Sequence, residues 1–291
     1  MCLEEVIVII MRVVFLLIKG GNNVKLKVLV DNNTYIDQYY CGEPAVSYYI
    51  EDEDISLLLD VGYSDLFLKN STALGVDLEN ISTIVISHGH NDHTRGLKYY
   101  FEQNHKNSIS IIAHPDAFKE KVVDMLKICS PILQAELKEK CNLILSKEPI
   151  KVSKHLTFLG QIPQTNNFEN RKPIGKQIVG EISVDDYVID DTALAYKNEN
   201  GIYIITGCSH SGICNIIEYA KEICKDTRVL GIIGGFHLFE VTEQVNKTID
   251  YLKQNNLKEL YPCHCTSFAV RAEIHKTLPV KEVGVGLEIN W

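Results

Sequence analysis

Short apolar runs rich in Val, Ile and Leu recur along the chain, each closed by a turn bearing Gly, Asn or His, and longer segments between them carry apolar residues at helical spacing. The runs predict strands at 25–30, 45–50, 55–59, 84–86, 109–113, 142–145, 156–159, 193–197, 202–206, 229–233 and 260–262. The acidic stretch 51–54 reads as a hairpin turn. Helical spacing predicts helices at 64–74, closed by Gly75, from near Thr94, from Pro115 to about 128, and at 132–140, 213–224, 241–255 and 267–276. A strand followed by a histidine-bearing loop and then a helix occurs four times. That pattern predicts an α/β fold whose site is assembled at one edge of two sheets.

The first of these loops is the densest. Ser87-His88-Gly89-His90-Asn91-Asp92-His93-Thr94 follows a β-branched run and places three histidines and an aspartate within six residues. Imidazole nitrogen and carboxylate oxygen are donors that Zn²⁺, Mn²⁺ and Fe²⁺ accept. If 87–90 continue the strand, His88 and His90 point to one side and reach one ion. Asp92 and His93 then lie where a helix starts and can hold a second ion, about 3.5–4 Å from the first in sites of this kind. The alternative is a set of caps and loop histidines, but caps do not require four ionisable side chains together.

Further candidates lie at later strand ends. His210 sits in Gly207-Cys208-Ser209-His210-Ser211-Gly212, where small residues allow close backbone approach, and His264 lies between Cys263 and Cys265. With 263–265 extended, both thiols face away from the imidazole and pack, while His264 ligates; cysteine ligation is the rival reading. Asp60, at a strand end before Gly62, suits a carboxylate that orients a ligating histidine. Asp191, in an acidic turn, is either a ligand, an orienting group or a plain turn residue. His237, after Gly234-Gly235, is placed to donate to a substrate phosphate or leaving group, or else is a core histidine. Asp92 could both bind metal and accept a proton. Of the histidines without such a setting, His105, His114, His155 and His275, only His114 falls near a strand end.

The run His-x-His-x-Asp-His after a strand resembles the signature of the metallo-β-lactamase superfamily, and Leu57-Leu58-Leu59-Asp60-Val61-Gly62 resembles its first motif. Gly160-Gln161-Ile162-Pro163 with Phe168-Glu169, then 206–213, Gly234-Gly235-Phe236-His237-Leu238 and Pro262-Cys263-His264-Cys265-Thr266 are similar to one subgroup. It includes the archaeal 7,8-dihydropterin-6-methyl-4-(β-D-ribofuranosyl)aminobenzene-5'-phosphate synthase. The resemblance implies an αββα sandwich, two divalent transition-metal ions (zinc, with Mn or Fe as alternatives) and ligands His88, His90, Asp92, His93, His210 and His264. It implies a metal-dependent hydrolase or transferase acting on a small phosphorylated, pterin-like substrate. The alternatives are a phosphodiesterase or thioester hydrolase on the same scaffold, and a non-catalytic metal-binding module. Three departures stand out. Cys208 occupies the place of the superfamily's usual bridging aspartate, with His210 as the replacement donor and Cys208 itself either a ligand or a small buried residue; the intermediate Gly-His motif is not at its expected place, and 41–47 departs from the subgroup's Glu-His-Gly-like stretch.

Composition narrows the partners. The 291 residues contain no linker or low-complexity tract, which predicts one domain over 1–291, with an extension at 1–10 and a long polar loop at 160–186 that could wall or cover the site. A formal net charge of −9 opposes a phosphate-backbone footprint, so nucleic acid is not expected, and Lys119 and Lys121 read as a solvated helix face. A flavodiiron protein would need a flavodoxin-like partner domain, for which there is no motif. Nine scattered cysteines suit a reduced, cytoplasmic protein. The apolar run 6–18 follows Glu4 and Glu5 and contains Arg12, which argues against a signal or a membrane span. A homo-oligomer is compatible with all of this.

Overall fold

The computed structural model describes residues 23–53, 55–103 and 109–291; the 1–10 extension, the apolar run 6–18 and His105 lie outside them. One sheet has the spatial order β17-β1-β2-β3-β4-β5-β8, with β1 (Val24–Val30), β2 (Ser47–Asp52), β3 (Ile55–Leu59), β4 (Thr83–Val85), β5 (Ser110–Ala113), β8 (Asn142–Leu145) and β17 (Glu288–Asn290). A second sheet runs β16-β15-β14-β13-β10-β9, with β9 (Ile150–Lys151), β10 (Leu156–Phe158), β13 (Ala193–Lys197), β14 (Ile202–Thr206), β15 (Val229–Gly234) and β16 (Glu259–Pro262).

The period-2 alternation of side chains explains how the two sheets stack. Leu57 and Leu59 join one apolar cluster while Leu58 joins another, and Ile205 and Ile233 part in the same way from Ile204 and Ile232. The shared cluster, with Leu26, Leu57, Val85, Phe158, Leu194 and Ile205, lies between the sheets. On the outer face of the first sheet pack residues of α1 (Leu66–Ala73), α3 (Gly96–Glu102), which follows β4 after the short α2 (Asn91–Thr94), and α4 (Gln134–Lys140). Residues of α5 (Ile213–Cys224), α6 (Glu243–Gln254) and α7 (Phe268–His275) cover the outer face of the second. The layers are therefore helix, sheet, sheet, helix. Central strands buried on both faces explain why they read as continuous apolar runs rather than as alternating ones.

Strand direction gathers the chemistry. β3, β4, β5 and β8 are mutually parallel neighbours, as are β14, β15 and β16. Their carboxyl ends point to one edge, where loops after parallel strands commonly form sites. Asp60, His88, His210, His237 and His264 each follow one of these ends. β13 runs antiparallel to β14, so Asp190 and Asp191, just before its start, reach the same edge.

Three expectations are corrected. The segment from Pro115 to 128 is not a helix: it turns at 115–118 and forms β6 (Lys121–Val123) and β7 (Leu126–Lys127), joined by Asp124 at φ 53° and Met125. The β-branched pair Val122-Val123 suits this hairpin, and Lys121 is buried rather than on a solvated face. The long loop 160–186 includes β11 (Lys176–Val179) and β12 (Ile182–Asp185), which complete a four-stranded sheet of order β12-β11-β6-β7. The hairpin turn between β2 and β3 is tighter than the expected 51–54, because Glu51 and Asp52 still pair with β3, which begins at Ile55.

No helix among the described residues is long and apolar enough to cross a membrane.

Candidate metal centre

Three groups of donor atoms converge at this edge, each with all its atoms within 4.8 Å of one another: Asp92, His93, Cys208 and His264; then His88, Cys208 and His210; and, to one side, Cys208, His237 and Cys265. His90 adjoins the second, with its Nδ1 3.1 Å from His88 Nε2 and its ring 5.0 Å from His210. Asp92 Oδ2 lies 3.4 Å from His93 Nε2 and 3.3 Å from His264 Nε2. Asp92 and His93 fall in the first turn of α2, which starts at Asn91 rather than near Thr94. Gly89 has to be glycine for the loop to fit: a Cβ there would lie 2.0 Å from the Ala117 carbonyl oxygen.

Surrounding groups fix how the imidazoles face. The Asp60 carboxylate accepts His93 Nδ1–H at 2.7 Å and is itself held by the Ser87 hydroxyl at 2.6 Å and the Ser87 N–H at 2.8 Å. His93 Nε2 is thereby turned toward Cys208 Sγ, 3.2 Å away. Asn32 Oδ1 meets His264 Nδ1 at 3.0 Å and Asp31 accepts the His264 N–H at 3.2 Å, which leaves His264 Nε2 facing Asp92. Asp191 accepts the Ser211 N–H at 2.9 Å and so holds the backbone beside His210, outside the donor groups. Asp190 accepts the Gly89 N–H at 2.7 Å and is paired with the buried Lys121, which also lies 3.0 Å from Asp186. Asp60, Ser209, His237 and His264 all have φ between 48° and 59°, backbone that side-chain-bearing residues rarely adopt and that functional sites often hold.

The electrostatics suit a cation. Burial, then the neighbouring His93 and His90, keeps His88 well below the usual imidazole range, and burial and Lys121 lower His90 to about 4. Burial and His237 likewise lower His210, so these rings stay neutral, the form that ligates. Burial opposes charge on Asp92, but His93 and His264 hold it well below the carboxylate range. Burial also opposes charge on His93, yet Asp92 and Asp60 raise it well above its ordinary value, so the two carboxylates favour a positive charge at Nε2, which a metal cation would supply in place of a proton. Among the described residues, the buried nitrogens His90 Nε2, His210 Nε2 and His264 Nε2 have no hydrogen-bond partner. Such orphans are rare in folded proteins, and divalent cations satisfy imidazole nitrogens and carboxylate oxygens arranged in this way. The residues present therefore fit a metal centre.

His237 stands at one side, its ring 4.2 Å from that of His210 and its Nδ1 buried without a partner. Beside it opens a cavity of about 250 Å³ whose walls include Asn170, Lys172, His210, Phe236, His237 and Phe239. The long loop supplies part of that wall and is pinned down: Asn215 Oδ1 accepts from the Thr165 N–H and hydroxyl at 2.8 Å, and Glu169 accepts the Cys214 and Asn215 N–H groups at 3.0 and 2.9 Å. A carboxylate on those free amides at the start of α5 also complements the helix dipole.

The sequence reading misplaced or missed several of these groups. His264 lies in a left-handed turn, so 263–265 is not extended and the two thiols part. Cys263 Sγ contacts the Tyr48 hydroxyl in the core at 3.2 Å, whereas Cys265 reaches the site and forms a group with Cys208 and His237. Lys121 and Asp190 were hidden because their pairing spans distant parts of the chain. His114 is buried at the same edge but binds Gln161 at 3.2 Å, outside the donor groups, and His155 pairs with Asp52 at 3.1 Å.

Comparison with known proteins gives consistent matches. The family model of the metallo-beta-lactamase superfamily matches residues 42–221. An uncharacterized protein of Methanocaldococcus jannaschii is 34% identical over 252 residues, covering 84% of this chain and 91% of the relative. The 7,8-dihydropterin-6-methyl-4-(beta-D-ribofuranosyl)-aminobenzene-5'-phosphate synthase of the same organism is 31% identical over 263 residues, covering 85% of this chain and 89% of the relative. A crystal structure of a metal-dependent hydrolase of the beta-lactamase superfamily superposes with a TM-score of 0.78 at 26% identity, over 91% of this chain and 98% of that one.

Proposed function

The chain belongs to the metallo-beta-lactamase superfamily, and on that premise we propose that it is a metal-dependent enzyme acting on a small phosphorylated, pterin-like substrate. The observation that carries the reading is the set of partnerless buried nitrogens on His90, His210 and His264, at the sheet edge where the Asp92 and Cys208 donor groups converge beside an open cavity. Members of the superfamily are mostly enzymes and typically hold divalent metals. Here His88, His90 and His210 would hold one ion and Asp92, His93 and His264 the other, zinc by preference. Ions so held supply electrophilic activation of a phosphoryl oxygen and a nucleophile at neutral pH.

The chain's own groups do the rest. Lys172 and Asn170 offer a cation and an amide to phosphate oxygens, and Phe236 and Phe239 offer apolar walls to a flat ring. At about 250 Å³ the cavity falls below the roughly 300–1,000 Å³ of common ligand pockets, so it takes one end of the substrate and leaves the other over the metals. Asp92 Oδ2, between His93 and His264, is placed to accept a proton, and the imidazole of His237 to donate one to a leaving group. The pterin-like substrate is inferred from the 31% identical synthase. Simple hydrolysis is the second reading, favoured by the 26% identical metal-dependent hydrolase. The eight described cysteines are unpaired, in keeping with a reducing compartment such as the cytoplasm.

Anaerobically purified, zinc-loaded protein should release pyrophosphate from a dihydropterin-methyl pyrophosphate. Requirement for an arylamine acceptor separates transfer from hydrolysis. Absence of turnover on that substrate, with turnover of a phosphodiester or thioester instead, would overturn the substrate assignment.

A further inference from the structure

We propose that the Cys208 thiolate is the ligand shared by both metal positions, standing in for the carboxylate bridge that the sequence lacks. The inference rests on the metal reading above and goes beyond it in assigning the bridge. Cys208 Sγ is the one donor common to the Asp92, His93, His264 group and to the His88, His210 group. It is buried and lies 3.2 Å from His93 Nε2. In these two groups Asp92 is the only carboxylate, so the other donor able to carry negative charge between two dications is this sulfur.

The backbone delivers it there. A Cβ at Gly207 would fall 2.2 Å from Ser87 Oγ and 2.9 Å from Asp60 Oδ2, so only glycine lets the strand end lie against the groups that support His93. Cys208 comes next and is carried into the cluster. Cys265 is the rival thiol, but its Sγ accepts the His237 N–H at 3.3 Å and its S–H is directed at the Cys208 carbonyl, 3.5 Å away. It belongs to neither of the two groups. On binding, Cys208 S–H releases its proton to solvent and its lone pairs are shared between the ions. A soft bridging donor should bias the centre toward zinc or ferrous iron over manganese.

X-ray absorption on the zinc-loaded, full-length protein counts sulfur scatterers directly. A shared thiolate gives on average one sulfur per zinc with two zinc ions bound; a terminal thiolate gives half a sulfur per zinc, and an outer-sphere thiol gives none, and either of the latter overturns the proposal. Cobalt titration gives an independent readout. The thiolate-to-cobalt charge-transfer band should grow through both equivalents, vanish in Cys208→Ser and persist in Cys265→Ser. A band that stops growing at the first equivalent, or survives Cys208→Ser, contradicts it. Two ions bound with no sulfur at either would refute the bridge while leaving the metal reading intact; no ion bound at all would refute both.

Discussion

Lys121 Nζ lies 2.7 Å from Asp190 Oδ1, and the other oxygen of that carboxylate accepts the Gly89 N–H at 2.7 Å. A fully buried ion pair is thus joined to the backbone between His88 and His90. Breaking one partner of such a pair leaves an uncompensated charge and costs about 3–5 kcal/mol. Lys121→Met should lose stability of that order in urea unfolding at pH 7 and should weaken metal binding. A loss below about 1 kcal/mol would mean that the pair does not hold the loop.

The same pair sets a pH dependence. Burial opposes charge on Asp190, but Lys121 lowers its pKa below the ordinary value. A carboxyl depressed in the folded state stabilises fully above its unfolded pKa of about 3.9, and that contribution fades as pH falls through the folded value. In Lys121→Met the largest lowering cause is gone, leaving only the weaker pull of His90 and the Gly89 N–H against burial. The stability gap between wild type and variant should therefore be widest near neutrality and narrow as pH falls below about 4. A gap independent of pH would contradict this assignment.

Gly89 and Gly75 separate two kinds of glycine. A Cβ at Gly89 would strike the Ala117 carbonyl at 2.0 Å, whereas at Gly75 it meets nothing within 4 Å and suffers only from φ of 66°. Gly75→Ala should cost about 1 kcal/mol and keep the metals. Gly89→Ala should cost about 1–3 kcal/mol or more and reduce metal affinity, since His88 and His90 must shift with the loop. Equal effects on metal content would show that the loop's close approach is unimportant.

How much of this was legible follows from which contacts are local. The strand ends and their histidines could be read because strand, turn and ligand lie within a few residues, as in 84–93. The segment 115–128 could not, because Lys121 looks like a surface residue until Asp186 and Asp190 close around it. Nor could Cys265: strand alternation sends it with Cys263, and only the φ of 48° at His264 separates them. Cys208 was visible as a departure, but its position between two donor groups depends on strand order across both sheets.

Glu169 ties the long loop to α5 through the Cys214 and Asn215 N–H groups. Each charge-assisted bond contributes about 1.5–3 kcal/mol. Glu169→Ala should destabilise by more than 1 kcal/mol, and amide exchange at 164–171 should accelerate, with metal content preserved. Unchanged exchange would mean that other contacts fix the cavity wall.

Metal content of anaerobically purified protein tests the central claim most directly. Two transition-metal ions per chain are expected, falling by one in His264→Ala and by one in His210→Ala. A chain that binds no transition metal, or whose stoichiometry is untouched by both substitutions, would contradict the account.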